Sequence, residues 1–174
     1  MSGKSIGNDP SGKSYGYSVH GEKQKESIIR QCQRLADDEH STNDGFILTL
    51  ALAGGTGSGL GTRICEEIRS EFGKSHPILV HAVWPYETGE VVIQNYNILL
   101  AFSKLYNCAD GLIFHSNSIV HDICNVRYNI KQVRFPDINS YIANELTRHI
   151  SKYNSQILHH ISILKFNKCA TTSI

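Results

Sequence analysis

Gly54-Gly55-Thr56-Gly57-Ser58-Gly59-Leu60-Gly61 places five glycines in eight residues, directly after the apolar run Phe46 to Ala53. Residues without a Cβ let a chain turn sharply and let its backbone come close to a ligand. Free N–H groups at a helix start, with the helix dipole behind them, favour an anion by about 0.3 to 1 kcal/mol, and more when partly buried. Thr56 and Ser58 add hydroxyl donors. The chemistry predicted for Gly54, Gly55, Thr56, Gly57 and Ser58 is therefore phosphate binding. A strand-to-helix turn without a ligand is the plainer alternative, but it needs only one or two glycines.

Two nucleotide patterns compete for this chain and both fail. The dinucleotide fingerprint G-x-G-x-x-G needs a glycine three residues beyond its second member, where Leu60 and Thr62 stand. A literal G-x-x-x-x-G-K-[ST] occurs at Gly7 to Ser14, but only MSGKSI precedes it, too short and polar for the buried strand that such a loop follows. Other chemistry is sparse. Ser58 sits in Gly57-Ser58-Gly59 and does not match the nucleophile pattern G-x-S-x-G, so a hydrolase is not indicated. His81, His115 and His121 lack ligand spacing with carboxylates or thiols and read as core or surface histidines; no metal site is assigned to side chains.

The elements that must position the glycine turn follow from hydrophobic pattern. Phe46 to Ala53 reads as a buried parallel strand. Leu60, Ile64 and Ile68 recur at helical spacing up to Gly73, which suits a C-terminal cap. A second strand is expected at Pro77 to Val83, then a helix with Ile98, Leu99, Phe102 and Leu105 inward, then a third strand at Gly111 to His115. Ahead of these, an amphipathic helix follows Gly21 with Ile28, Cys32, Leu35 and Ala36 on its apolar side. Two more helices are expected at Asn117 to Val126 and Pro136 to Ile150, the latter with Ile138, Tyr141, Ile142, Leu146 and Ile150 inward. Strands alternating with helices imply an α/β fold around a parallel sheet. Three strands are few for such a sheet, so the sheet as encoded looks incomplete.

Length and composition bound the reading. The 174 residues suit about one domain, and 40% apolar with 19% charged residues is globular composition. A net charge of +1 gives no field that would draw the chain to nucleic acid or an anionic membrane, so neither is expected as a partner. Five widely spaced cysteines suggest neither a disulfide framework nor zinc, and a reducing cytosol fits them. Residues 1–14 read as a flexible lead-in, 15–150 as the folded domain and 151–174 as a tail without clean periodicity.

GGTGSGLG is the signature of the tubulin/FtsZ family, and further stretches resemble tubulin in the same order: YGYSVHG at Tyr15, VWPYETGEVVIQNYN at Val83, Asp122-Ile123-Cys124 and Phe135 to Asn139. The first two of these are most similar to the delta-tubulin class. The resemblance runs from about Tyr15 to Ile150. It implies a partial Rossmann-like GTPase domain that binds GTP or GDP with Mg²⁺, in a cytoskeletal subunit that assembles with other tubulins in microtubules, centrioles or basal bodies. Gly54 to Ser58 match the loop around the phosphates. Thr88, Glu90 and Gln94 match the loop beside the ribose and phosphates, with Gln94 where conventional tubulins often carry an acidic residue. Asn117 and Asn139 match the two asparagines that read guanine, and Phe135 the aromatic that stacks on the base. Residue chemistry agrees: an amide offers a donor and an acceptor to a purine edge, and an aromatic face stacks on any base. Taken alone, Asn117 and Asn139 would each read as a helix cap or a surface residue.

Against the family pattern, no first phosphate loop of G-x-x-G-x-Q type precedes the matched stretch, and no N-x-D or N-x-E pattern follows in SKYNSQILHHISILKFNKCATTSI. The expectation is a fragment whose first strand has an apolar free edge, with weak GTP binding and no turnover alone. The alternatives are another α/β nucleotide module, a small enzyme, or a truncated product without independent activity.

Overall fold

A computed structural model describes residues 16–36, 45–88 and 93–152. Helix α1 (Gly21–Ala36), with a π-helical turn at Gly16–His20 before it, precedes strand β1 (Phe46–Ala51). A second π-helical turn, Thr56–Gly61, runs straight into α2 (Thr62–Phe72). Then come β2 (Ile78–Trp84), α3 (Gln94–Cys108), β3 (Gly111–Ser116), α4 (Asn117–Val126) and α5 (Phe135–Lys152). The three strands form one parallel sheet in the order β1-β2-β3. The α/β class and the parallel sheet expected from the sequence are thus present.

Register aligns the large apolar side chains into rows. Phe46 pairs with Ile78, Leu48 with Val80 and then Leu112, Leu50 with Ala82 and then Phe114. Because side chains alternate across a strand, these rows share one face. That face meets Cys65 and Ile68 of α2 and Ile98, Ala101, Leu105 and Cys108 of α3 in a single core cluster. Gly73, at φ 63°, ends α2 in the left-handed region, where the absence of a Cβ removes the steric cost.

The opposite face is divided. On β1, Ile47, Thr49 and Ala51 are exposed, and no strand pairs with the far edge of β1 among the described residues. Towards β3 the face is closed, with His81 and His115 buried. Helices α4 and α5 pack on each other through Val120, Cys124, Ile138 and Ile142, a second and smaller core.

Two helix faces differ from expectation. Leu35 is 70% exposed, and Ile29 packs against the main core beside Cys32 instead. Leu99 is 67% exposed, with Ala101 taking the inward place between Ile98 and Leu105. In both helices apolar residues occupy more than one side, so spacing alone does not choose the buried stripe. Tyr96, Leu100 and Tyr106 join Leu99 on the exposed side of α3. Boundaries moved by a few residues: β1 ends at Ala51 rather than Ala53, and helical backbone begins at Gly55, before Leu60.

Candidate functional site

Where β1 ends, Leu52 is fully buried and its N–H donates to Val83 O at 3.2 Å. The chain then bends through Gly54 and enters helical geometry at Gly55, φ −66° and ψ −27°. Ser58 N–H closes the turn on Gly54 O at 3.1 Å, and the Ser58 hydroxyl donates to the same carbonyl at 2.6 Å. Thr62 Oγ1–H is shared between Ser58 O at 2.8 Å and Gly59 O at 2.9 Å, tying the π-helical turn to α2. The N–H groups of Gly55, Thr56 and Gly57 belong to the first turn of this helix, where no intrahelical acceptor exists. Thr56 is exposed, and space is open around Gly54: a Cβ added there meets nothing within 4 Å.

At Gly57 and Gly16 the backbone packs too closely for a Cβ. At Gly57 a Cβ would stand 1.8 Å from Ala51 O, so the turn lies directly against the end of β1. At Gly16 a Cβ would stand 2.4 Å from Gly55 O. The π-helical turn before α1 therefore backs the glycine turn from behind, held by Tyr17, whose hydroxyl bonds Glu66 while Arg63 and Lys104 lie over its ring.

A second brace comes from α3. Asn97 is buried and its amide donates to Ala53 O at 2.8 Å, fixing the carbonyl that precedes Gly54. One turn earlier, Gln94 donates to Tyr86 O at 3.1 Å and Glu87 O at 3.4 Å, so it holds the chain after β2. Its other amide atom, Oε1, is buried without a partner among the described residues. Thr88 is exposed in this loop, and Glu90 lies outside the described residues. Asn97 is a polar residue within an inward-facing apolar stripe, a pattern visible in the sequence. Removing its amide with Asn97→Ala should leave Ala53 O unpaired and cost about 1 to 3 kcal/mol; a thermal melt within about 1 °C of the unsubstituted chain would show that the brace is dispensable.

The other predicted residues stand at the same end of the sheet. Asn117 directly follows the C-terminal end of β3, and Ser116, not Asn117, occupies the N-cap position of α4. Phe135 opens α5, is 63% exposed, and packs in a T-shaped arrangement with the Tyr86 ring at 6.4 Å between centroids. Tyr86 also bonds His121 Nδ1 at 3.2 Å, which links the loop after β2 to α4. Asn139 is exposed one turn beyond Phe135, on the same side of α5. The structure thus joins Ser58 to Gly54, Gln94 to the loop of Thr88, and Phe135 to Tyr86. The glycine turn, the Thr88 loop and Asn117 each follow the carboxyl end of a parallel strand, where open α/β sheets place ligands. The Gly7 to Ser14 match, the lead-in 1–14 and residues 153–174 lie outside the described residues.

The family model for the tubulin/FtsZ family GTPase domain matches residues 5–125. The chain belongs to this family. It is 44% identical over 132 residues to the tubulin delta chain of Mus musculus, and 42% identical to the tubulin delta chains of Canis lupus familiaris and Homo sapiens. Each alignment covers 76% of this chain but 29% of the relative, so the chain spans less than a third of the length of the curated relatives it matches. Membership in a tubulin GTPase family accords with the three-stranded parallel sheet and with the glycine turn at its carboxyl end. No helix among the described residues is long and apolar enough to cross a membrane.

Proposed function

We propose that this chain supplies guanine-nucleotide contacts in a delta-tubulin-like cytoskeletal subunit. The observation that carries this reading is the glycine turn, with first-turn N–H groups at Gly55, Thr56 and Gly57 and open space at Gly54. In this reading those N–H groups and Thr56 hold the phosphates of GTP or GDP. The Ser58 hydroxyl shapes the turn through Gly54 O. Gln94 holds the backbone of Tyr86 and Glu87 just before Thr88, and Gln94 Oε1 is an acceptor without a partner among the described residues, suited to a ribose hydroxyl. Asn117 and Asn139 pair with the guanine edge while Phe135 stacks on the base. Mg²⁺ would arrive with the phosphates and neutralise their charge, held through phosphate oxygens.

The partners in this reading are other tubulin subunits, in the cytoplasmic cytoskeleton and at centrioles or basal bodies. Residues 15–150 form the nucleotide-binding unit, and the chain alone does not turn GTP over.

The test is equilibrium binding of labelled GTP to the chain, its folding checked by circular dichroism. Saturable binding displaced by GDP but not by ATP is expected. Asn117→Ala should weaken it about tenfold, the equivalent of about 1.4 kcal/mol. Equal displacement by ATP, or an unchanged affinity in Asn117→Ala, would refute guanine reading by this residue.

A further inference from the structure

Cys65 and Cys108 lie 43 residues apart in sequence, yet their sulfurs stand 2.9 Å apart in the core. Cys65 is fully buried on α2 and Cys108 is 4% exposed at the end of α3. Their approach is braced. Arg69, one turn beyond Cys65, donates from Nε to the Cys108 carbonyl at 2.9 Å and also pairs with Asp110, whose carboxylate accepts from Ile78 N–H at 2.7 Å. The same guanidinium holds the helix of one cysteine against the backbone of the other. Two thiols at this distance on adjacent packed helices need only a small further approach to reach the roughly 2.05 Å of a disulfide.

We propose that Cys65 and Cys108 are a redox-sensitive pair that closes to a disulfide when the protein meets a peroxide. Cys108 is the attacking sulfur. The Cys65 thiol beside it favours its thiolate, against the opposing effect of burial, whereas Cys65 is pushed up by its contact with Cys108 and by burial. The Cys108 thiolate attacks one oxygen of hydrogen peroxide, the O–O bond breaks, and the departing hydroxide takes a proton to become water. Cys108 is then a sulfenic acid. The Cys65 sulfur attacks Cys108 Sγ, the S–S bond forms as the S–O bond breaks, and the second hydroxide leaves as water with the Cys65 proton. Two thiols are oxidised by two electrons and one peroxide is reduced to two waters. A thiol reductant reverses the bond.

The bond would tie α2, which continues from the glycine turn, to α3, which carries the Asn97 brace on Ala53. Its consequence is a stiffer frame behind that turn, whatever ligand the turn takes.

The experiment uses the full chain expressed in cells, exposed to hydrogen peroxide, quenched in acid and alkylated before isolation. Trypsin releases Cys65 in residues 64–69, and Cys108 in residues 105–127 together with Cys124, so fragmentation of the linked peptide locates the bond. The expected result is a Cys65–Cys108 link that disappears with dithiothreitol, persists in Cys124→Ser and is absent in Cys108→Ser. The linked form should melt about 8 °C above the reduced form, because the bond closes a long loop in the unfolded chain. Separate alkylation of Cys65 and Cys108 after peroxide, or links scattered among the cysteines, would overturn the proposal.

Discussion

Gly57→Ala is expected to be the most damaging conservative change in the glycine turn. An added Cβ would meet Ala51 O at 1.8 Å, Ala51 C at 2.8 Å and Ala51 N at 3.0 Å, all backbone atoms at the end of a paired strand. Backbone cannot swing aside as a side-chain tip does, so either β1 or the turn must shift. The cost should reach about 3 kcal/mol, the upper part of the range for overpacked sites. For a chain of this length that lowers the melting temperature by roughly 6 to 12 °C. Neighbouring glycines provide controls. Gly61→Ala meets the flexible Leu50 Cδ2 at 2.5 Å and should cost less, while Gly54→Ala meets nothing and should melt close to the unsubstituted chain. Urea or thermal unfolding of the three variants is the check. Equal stability of Gly57→Ala and Gly54→Ala would show that the turn does not rest against Ala51.

The second large effect is on acid stability. His81 Nε2 and His115 Nδ1 share one hydrogen bond at 2.9 Å across β2 and β3, and His81 Nδ1 is buried without a partner among the described residues. Burial, and to a lesser degree His115, pushes His81 down to about 4. Burial and then His149 of α5 lower His115, with Glu145 opposing. Both folded values lie below the unfolded one of about 6.5, so the unfolded chain binds more protons in this range. The contribution is complete above about pH 6.5 and fades as pH falls towards the folded value near 4. His81 alone should account for a loss of about 2 kcal/mol between pH 7 and pH 5. Physically, a doubly protonated pair has two donors facing each other and no acceptor. His81→Gln keeps a polar group opposite His115 but does not titrate. Melting temperatures at pH 7, 6 and 5 should therefore fall less steeply in His81→Gln; an unchanged slope would place the acid sensitivity elsewhere.

Much of the fold was legible in the chain because its local signals agree. The runs Phe46–Ala51 and Ile78–Trp84 are apolar on both faces, as strands in a parallel sheet are, and glycines punctuate them. The glycine turn, placed between such a strand and an amphipathic helix, pointed to its own backbone geometry. Helix faces were less legible. Leu99 and Leu35 satisfy helical spacing as well as Ala101 and Ile29 do, and only the packing of α1 and α3 chose between them. Ser58 illustrates the same limit at the site: its hydroxyl reads as a donor in sequence, and the fold turns that donor onto Gly54 O.

By itself the sequence determined the order of strands and helices, the position of the glycine turn and the family to which the chain belongs. These depend on residue type and short-range spacing, which a chain carries before it folds. Tertiary structure decided what meets across distance: Asn97 on Ala53, Gly57 against Ala51, His81 with His115 and Cys65 with Cys108. Such meetings depend on strand register and on which side of a helix faces the sheet. Register is set by the simultaneous packing of whole rows of side chains, as Leu48, Val80 and Leu112 align only when all three strands are in place.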